Sequence, residues 1–513
     1  MTRTATRLRG LAATALTLLA TPAVAEDVPL NVASTTVGEY HGDNQDADDT
    51  NDRYGILLER LHLTAVSGNL EVLTRVDGVR YIESPGPTYR DFAEVERLAL
   101  SWRSDHWRLR LGDEYRQLGS GFLLALRNVD DAGHDIAIRG GSVEATYKHG
   151  GATVFAGRTN SANLDRLTQE YVQDVGDLVY GAEASANLGT VGTVTAMGLR
   201  VEPTESSVPG ADDTTTAGGI HVDLPAAASW LTASAEASLF RRTVGVLDTD
   251  GTALFVSTVG MWGNASVTLE GLYADRAEIR GSLEGTARQG FRYSLPPTLE
   301  RFDQDVEDSA NARGGRVRVD YFFSDSGVAI HANQLVRQEG ADEDSRKEQL
   351  HSYAGIEVPF DEDASKFSLS GGLRFEGRDD VRRLTARHVE ADLTWAFRPR
   401  YSLIVHGLTE FKTKYAGFDE GDEGNPFVRA NVIVSLDRSK LGSVGFEYGH
   451  DDEIETAGVA HDFFAGHLGW EVSEQVTLRS VIGSQRGGLK CVNGVCRKYP
   501  AFAGARLELI AAF

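Results

Sequence analysis

The chain ends in PAFAGARLELIAAF, Pro500 to Phe513, and this stretch decides how the rest is read. Counting back from Phe513 in twos gives Ala511, Leu509, Leu507, Ala505, Ala503 and Ala501, while Ile510, Glu508, Arg506, Gly504 and Phe502 lie between them. One face is wholly apolar and the other carries a charge pair. Nothing follows Phe513 that could complete a protein core over the apolar face, so lipid is the simplest solvent for it. A tilted strand of about ten residues, apolar outward and polar inward, is the repeating unit of a membrane-spanning β-barrel.

The same grammar recurs along the chain. Leu57, Leu61, Leu63 and Ala65 alternate with Arg60, His62 and Thr64, and after Ser67-Gly68 a second strand carries Leu70, Val72 and Val76 against Glu71, Arg75 and Asp77. Leu98, Leu100 and Trp102 oppose Arg97, Ser101 and Arg103; past a tight reversal, Trp107, Leu109 and Leu111 oppose His106, Arg108 and Arg110. Trp102 and Trp107 flank that turn, as Trp395, Phe397 and Tyr401 flank Arg398-Pro399-Arg400 and Trp470 precedes Ser473-Glu474. Such placement suits an interfacial girdle, because an indole is apolar in body and polar at one edge. Period two dominates and helical periodicity is nearly absent. Between Ile138 and Val143 the apolar parity flips across Gly140-Gly141, which predicts a bulge.

Short connections fall near 67–69, 103–106, 149–151, 188–192, 224–229, 258–264, 324–327, 359–365, 397–400, 437–442 and 472–475. Longer polar ones fall near 41–52, 78–92, 113–134, 161–177, 203–216, 241–252, 277–313, 338–349, 378–384, 413–426, 450–461 and 485–499. Short periplasmic turns alternating with long outer loops are the rule for such barrels. The expected fold is therefore all-β: one antiparallel up-and-down transmembrane barrel of about 24 strands (range 20–26), with both ends in the periplasm. The segments around 217–224 and 251–258 are the weakest strands.

Composition agrees. Arg3, Arg7 and Arg9, the apolar run Leu11 to Ala20 and Ala23-Val24-Ala25 make residues 1–25 a secretory leader, with the barrel over 26–513. The leader's apolar run is too short to span a bilayer. Fifty-one basic against 75 acidic residues give a charge of −24, or −27 without the three leader arginines. So acidic a chain repels nucleic acid, and DNA and RNA are excluded as partners. The expected partner is outer-membrane lipid. Phe513 resembles the closing aromatic residue of bacterial outer-membrane barrels. That resemblance implies a terminal signal read by the barrel assembly machinery during biogenesis.

The two cysteines lie in Cys491-Val-Asn-Gly-Val-Cys496. Asn493-Gly494 is a strong type I′ hairpin signal, which sets Val492 against Val495 and Cys491 against Cys496 as a non-hydrogen-bonded pair. A disulfide there is geometrically allowed and suits the periplasmic route. A dithiol metal or redox site is the competing reading, though four residues separate the thiols and no His is near in sequence.

The segment Asp113–His134 stands out. It carries Arg116, Gly119, Gly121, the apolar run Phe122 to Leu126, then Arg127, Asp130 and Asp131, with Asp135 and Arg139 just beyond. An apolar run in an outer loop needs shelter, and the barrel mouth is nearest. Joining the fifth and sixth strands, the segment resembles the inward-folded loop of general porins, whose acids face wall arginines. The resemblance implies a constriction with Arg97, Arg103, Arg108 and Arg110 as wall. Alternatively, 116–139 forms two further wall strands.

Acid clusters such as Asp43 to Asp52, Glu300 to Asp308, Asp419 to Glu423 and Asp451 to Glu455 could bridge divalent cations to lipid headgroups, but none has calcium-loop spacing; solvated surface is the plainer reading. No nucleophile elbow, zinc-protease motif or phosphate loop occurs. No enzyme, cofactor or resident metal is expected. As a whole the chain resembles a group of large Gram-negative outer-membrane barrels that share the Arg116, Gly119, Gly121 and Arg127 loop, the Asp135…Arg139-Gly140 element and the Cys-x4-Cys hairpin; this supplies no activity. Three functions follow from the barrel. It is a porin-like channel passing polar solutes through a charge-lined lumen narrowed by 113–134, or a plugged barrel that scaffolds a periplasmic or surface partner. Energised uptake is disfavoured, because Glu26 leads almost directly into strand-like sequence and leaves no room for a plug domain.

Overall fold

The computed structural model describes residues 29–43, 52–129, 134–173, 176–206, 208, 210–282, 293–299, 310–341, 346–361, 364–378, 381–415, 424–453, 460–492, 495–499 and 501–513. Among them, twenty-four strands form one antiparallel sheet that closes on itself. Each strand pairs with its neighbours in sequence, and the first, Leu30–Asp43, pairs with the last, Phe502–Ala512. Ala33 opposite Ala512 and Tyr40 opposite Ala505 lie along that seam, and the Phe513 N–H donates to the Val32 carbonyl at 2.7 Å. Closure leaves no unpaired edge, which hydrocarbon would penalise by several kcal/mol per orphaned group.

The terminal strand behaves as its alternation requires. Leu507, Leu509 and Phe513 are exposed on the outer surface, while Glu508 lies on the lumen side within 3.9 Å of Arg479 and 4.0 Å of Arg506. The outward faces of the other strands form an apolar belt that includes Leu98, Leu109, Leu254, Val317 and Leu369. All six tryptophans, Trp102, Trp107, Trp230, Trp262, Trp395 and Trp470, are exposed and stand beside short turns. Trp230 and Trp262 stack at 5.2 Å across two adjacent turns. These features place the barrel in the outer membrane with the short-turn end in the periplasm.

Three sequence expectations change. The connection expected at 241–252 is a tight hairpin: Leu231–Val244 and Leu247–Trp262 run on to Gly245, whose φ of +60° a side chain would disfavour. Their extra length carries the wall past the following strand, whose last ladder partner is Asp275 opposite Thr252, while the preceding strand keeps pace as far as Asp213 opposite Val244. The weak segments are full strands, Asp213–Ala228 and Leu247–Trp262. Across Gly140-Gly141 there is no bulge, because the ladder from His134–Tyr147 to Gly150–Ser161 runs unbroken from Ile136 to Tyr147. The apolar parity does change there, because Ile136 and Ile138 point into the lumen and meet an apolar core.

Replacing Val317, in the middle of Ala312–Phe323 and facing lipid, with Arg should cost about 2–4 kcal/mol in equilibrium urea unfolding of the refolded barrel. The same change at lumen-facing Ser234 should cost clearly less.

Candidate functional site

The fifth strand, Trp107–Glu114, has eight residues and ends early. The chain then leaves the wall, and Arg116–Leu118 pairs with Leu124–Leu126 in a small hairpin that is not part of the barrel sheet. The reading of 116–139 as two more wall strands therefore gives way to an inward fold. Leu118, Phe122, Leu123, Leu124 and Leu126 are almost wholly buried against Phe155, Val179, Met197, Leu199 and Phe240 of the wall. Each such side chain contributes roughly 1.5–3 kcal/mol when removed from water. The segment cannot leave the lumen without exposing the whole set.

Polar contacts fix its position. Ser120 N–H donates to Glu236 Oε2 at 2.5 Å, and Arg116 pairs with Glu114 at 2.5 Å and Glu183 at 3.6 Å. Gly119 takes a φ of +55° that a side chain would disfavour, and a Cβ there would fall 2.3 Å from Glu236 Oε2 and displace the carboxylate that holds Ser120. A Cβ on Gly121 would fall 2.5 Å from the Leu295 carbonyl.

A second inward stretch, 277–282 with 293–299, packs on the first. Ala125 N–H donates to the Tyr293 carbonyl at 2.7 Å, and Leu295 N–H to the Gly121 carbonyl at 2.9 Å. Ile279, Tyr293 and Leu299 join the same apolar core. Asp177, 1 % exposed, accepts from Ser282 N–H at 2.7 Å, Tyr293 Oη at 2.6 Å, Thr204 N–H at 2.8 Å and Ser282 Oγ. A buried carboxylate held by four donors is a strong tether. A third segment, 162–173, lies across the first strands: Leu164 packs with Val37, Tyr54, Ile56 and Tyr81, and Tyr81 Oη donates to the Gln169 carbonyl.

Of the residues singled out in the sequence, Arg97 and Asp135 meet. Asp135 accepts from Arg97, Arg75 and, at 2.7 Å, Tyr115 Oη; Arg75 also holds Asp77 through contacts of 2.9 and 2.6 Å. An acid at the loop's end thus faces wall arginines. Arg139 pairs instead with Asp113 at 3.0 Å and donates to the Glu96 carbonyl at 3.1 Å, tying the fourth and sixth strands across the end of the short fifth. Arg110 donates to the Asp113 carbonyl at 3.0 Å. Arg103 and Arg108 oppose each other beside the periplasmic turn, far from the inward segment. Arg127 is half-buried; Asp130 and Asp131 lie outside the described residues. Cys491 and Cys496 are register partners in a separate two-stranded ladder, Gly488–Val492 with Val495–Tyr499, and their side chains lie outside the described residues. Sequence reading missed Arg75, Tyr115, Asp177 and Glu236, each an ordinary polar residue on a strand, a loop or a turn until the partner distant in sequence is known.

Burial has a direction. On Val328–Glu339, Asn333, Leu335, Arg337 and Glu339 are buried toward the outer end, while His331 nearer the periplasm is half-buried. Opposite them, Lys347, Gln349, His351 and Tyr353 are buried and Glu357 is exposed. Tyr54–Ser67 repeats the gradient, from buried Tyr54, Ile56, Leu58 and Arg60 to half-buried His62 and Thr64.

No protein-family model matches the chain, and no curated protein matches it. Solved structures do. The siderophore receptor PirA from Pseudomonas aeruginosa aligns at a TM-score of 0.51 and 9% identity, covering 94% of this chain and 80% of that one. The P pilus usher (PapC) translocation pore aligns at 0.45 and 10%, covering 94% and 99%. A BenF-like porin from Pseudomonas fluorescens Pf-5 aligns at 0.37 and 8%, covering 72% and 98%. The first of these supports the large outer-membrane barrel fold.

Arg75→Ala removes one of two cations from each acid, leaving Asp77 with Arg60 at 3.4 Å and Asp135 with Arg97, and should destabilise the barrel by about 1–3 kcal/mol, measured by urea unfolding. The Tyr115 phenol is pushed up to about 12 by burial, with the Asp135 charge adding to it. Its folded-state value exceeds the usual value of about 10, so its contribution is intact below pH ~10 and is lost as pH rises toward 12. Urea midpoints taken between pH 9 and 12 should fall less steeply for Tyr115→Phe than for the natural chain.

Proposed function

We propose that the protein is an outer-membrane channel for polar solutes whose outer mouth is held shut by its own inward-folded segments. The observation that carries this reading is the gradient of burial along the lumen-facing rows. In the outer half, lumen-facing side chains are buried, many of them against residues of 118–126, 162–172, 277–282 and 293–299; in the inner half, polar side chains such as His62, Thr64, Glu144, Arg318 and Asp392 remain part-exposed. A lumen open toward the periplasm and lined by both signs of charge suits small polar solutes.

In this reading Arg97, Arg116, Arg127, Asp135 and Arg139 hold the constricting segment, with Asp130 and Asp131 in its continuation, while Arg103, Arg108 and Arg110 line the inner vestibule. A Cys491–Cys496 disulfide would stiffen the last outer hairpin, and Phe513 would serve the assembly machinery. The apolar core between loop and wall favours a second reading, a permanently plugged barrel that holds a periplasmic or surface partner.

Planar-bilayer recording separates the two. The natural chain should open rarely, and a variant lacking residues 116–129 should give steady, large conductance. A deletion variant that folds, shown by its heat-modifiable migration, yet stays silent overturns the channel reading; a stoichiometric partner co-purifying from membranes would then favour the scaffold.

A further inference from the structure

One arc of the lumen wall carries metal-ligating chemistry that neither reading uses. Asp392 and His406 are register partners on Val381–Arg398 and Tyr401–Lys414, with His406 Nδ1 2.6 Å from Asp392 Oδ1. Glu390 stands two residues along the same face of its strand. One ligand atom from each of the three lies within 4.8 Å of the others, and all three side chains are half-buried. They stand in the inner half of the lumen, where solvent reaches them.

Charge balance sets this group apart. Neighbouring lumenal carboxylates are held by cations: Glu376 by Lys347 at 2.9 Å, Glu339 by Arg337 at 3.2 Å, Glu410 by Lys412 at 3.0 Å and Asp451 by Arg429 at 3.1 Å. The charged groups beside Glu390 are Asp392 and His406, and among the described residues no Lys or Arg pairs with it. Two carboxylates therefore share one imidazole. Farther along the same face, His388 meets His351 with their Nε2 atoms 2.8 Å apart, both rings buried, so ligand-type side chains continue toward the outer half.

We propose that Glu390, Asp392 and His406 bind a borderline divalent transition-metal cation, Zn2+ being the reference case. Imidazole with carboxylate suits such ions, whereas Mg2+ and Ca2+ favour oxygen ligands alone. Ligand bonds of about 2.0–2.2 Å set ligand atoms up to ~4 Å apart, so small side-chain rotations complete the set. The ion takes the place of the proton now held between His406 and Asp392, and Ser368 Oγ, 3.4 Å from Asp392 Oδ2, steadies the carboxylate from outside. Strand backbones hold the ligands in place, and the proposal stands whether or not the barrel conducts.

Calorimetric titration of the refolded full chain in detergent with ZnCl2, and separately with MgCl2, tests it. One equivalent of Zn2+ should bind and Mg2+ should give no matching heat. Asp392→Asn and His406→Ala should each weaken Zn2+ binding by roughly tenfold or more. Glu390→Gln, which leaves the Asp392–His406 contact intact, should do so without altering heat-modifiable migration. Absence of Zn2+ binding, or folded variants that titrate like the natural chain, overturns the assignment.

Discussion

Hydrocarbon offers no partner to a backbone N–H or carbonyl, and every other feature of this molecule follows from that refusal. It forces the first strand onto the last, so that Leu30–Asp43 and Phe502–Ala512 share one ladder and the sheet has no edge. It also separates two solvents. Lipid reads the outward residue of each pair and the lumen reads the inward one, and each face can obey a different rule.

The lumenal rule changes along the barrel axis and around its circumference. Near the periplasm most inward residues are polar and part-exposed. Toward the outside, one arc is apolar and receives Leu118 to Leu126, while another is lined by paired charges such as Arg374 with Glu376. The short fifth strand makes this arrangement workable. It ends before its neighbours, and where the chain turns inward Asp113 accepts the Leu98 N–H and Arg139 donates to the Glu96 carbonyl, so side chains meet the backbone of the fourth strand beyond its ladder. Asp177, just before Leu178–Asn187, and Glu236, on Leu231–Val244, then anchor the inward chain, each by accepting backbone donors that would otherwise be buried unpaired.

The wall was legible because lipid imposes a strict period of two, and the terminal strand shows that period most plainly. The inward segment was legible as well: five apolar residues in an outer loop had nowhere else to go. Its destination was not. Contacts such as Ser120 to Glu236 join residues more than a hundred positions apart, and no local pattern encodes them. A signal was nevertheless present. Leu239-Phe240, Leu254-Phe255 and Leu272-Tyr273 are adjacent apolar pairs, and in each one member faces lipid while the other enters the lumen core. The parity change at Gly140-Gly141 belongs with them; an apolar interior, rather than a bulge, produces it.

The tryptophans bear on how the barrel meets bilayers of different thickness. Every indole stands at the short-turn rim, whereas the outer end exposes phenols and phenyls such as Tyr40, Tyr180, Tyr273 and Phe464, so the indole mooring belongs to the inner interface. A thicker or thinner membrane would leave the inner waterline fixed and move the outer one along the wall. The overshooting hairpin around Gly245 gives that outer waterline room to travel, so the bilayer's thickness sets how far the hairpin stands clear of the headgroups.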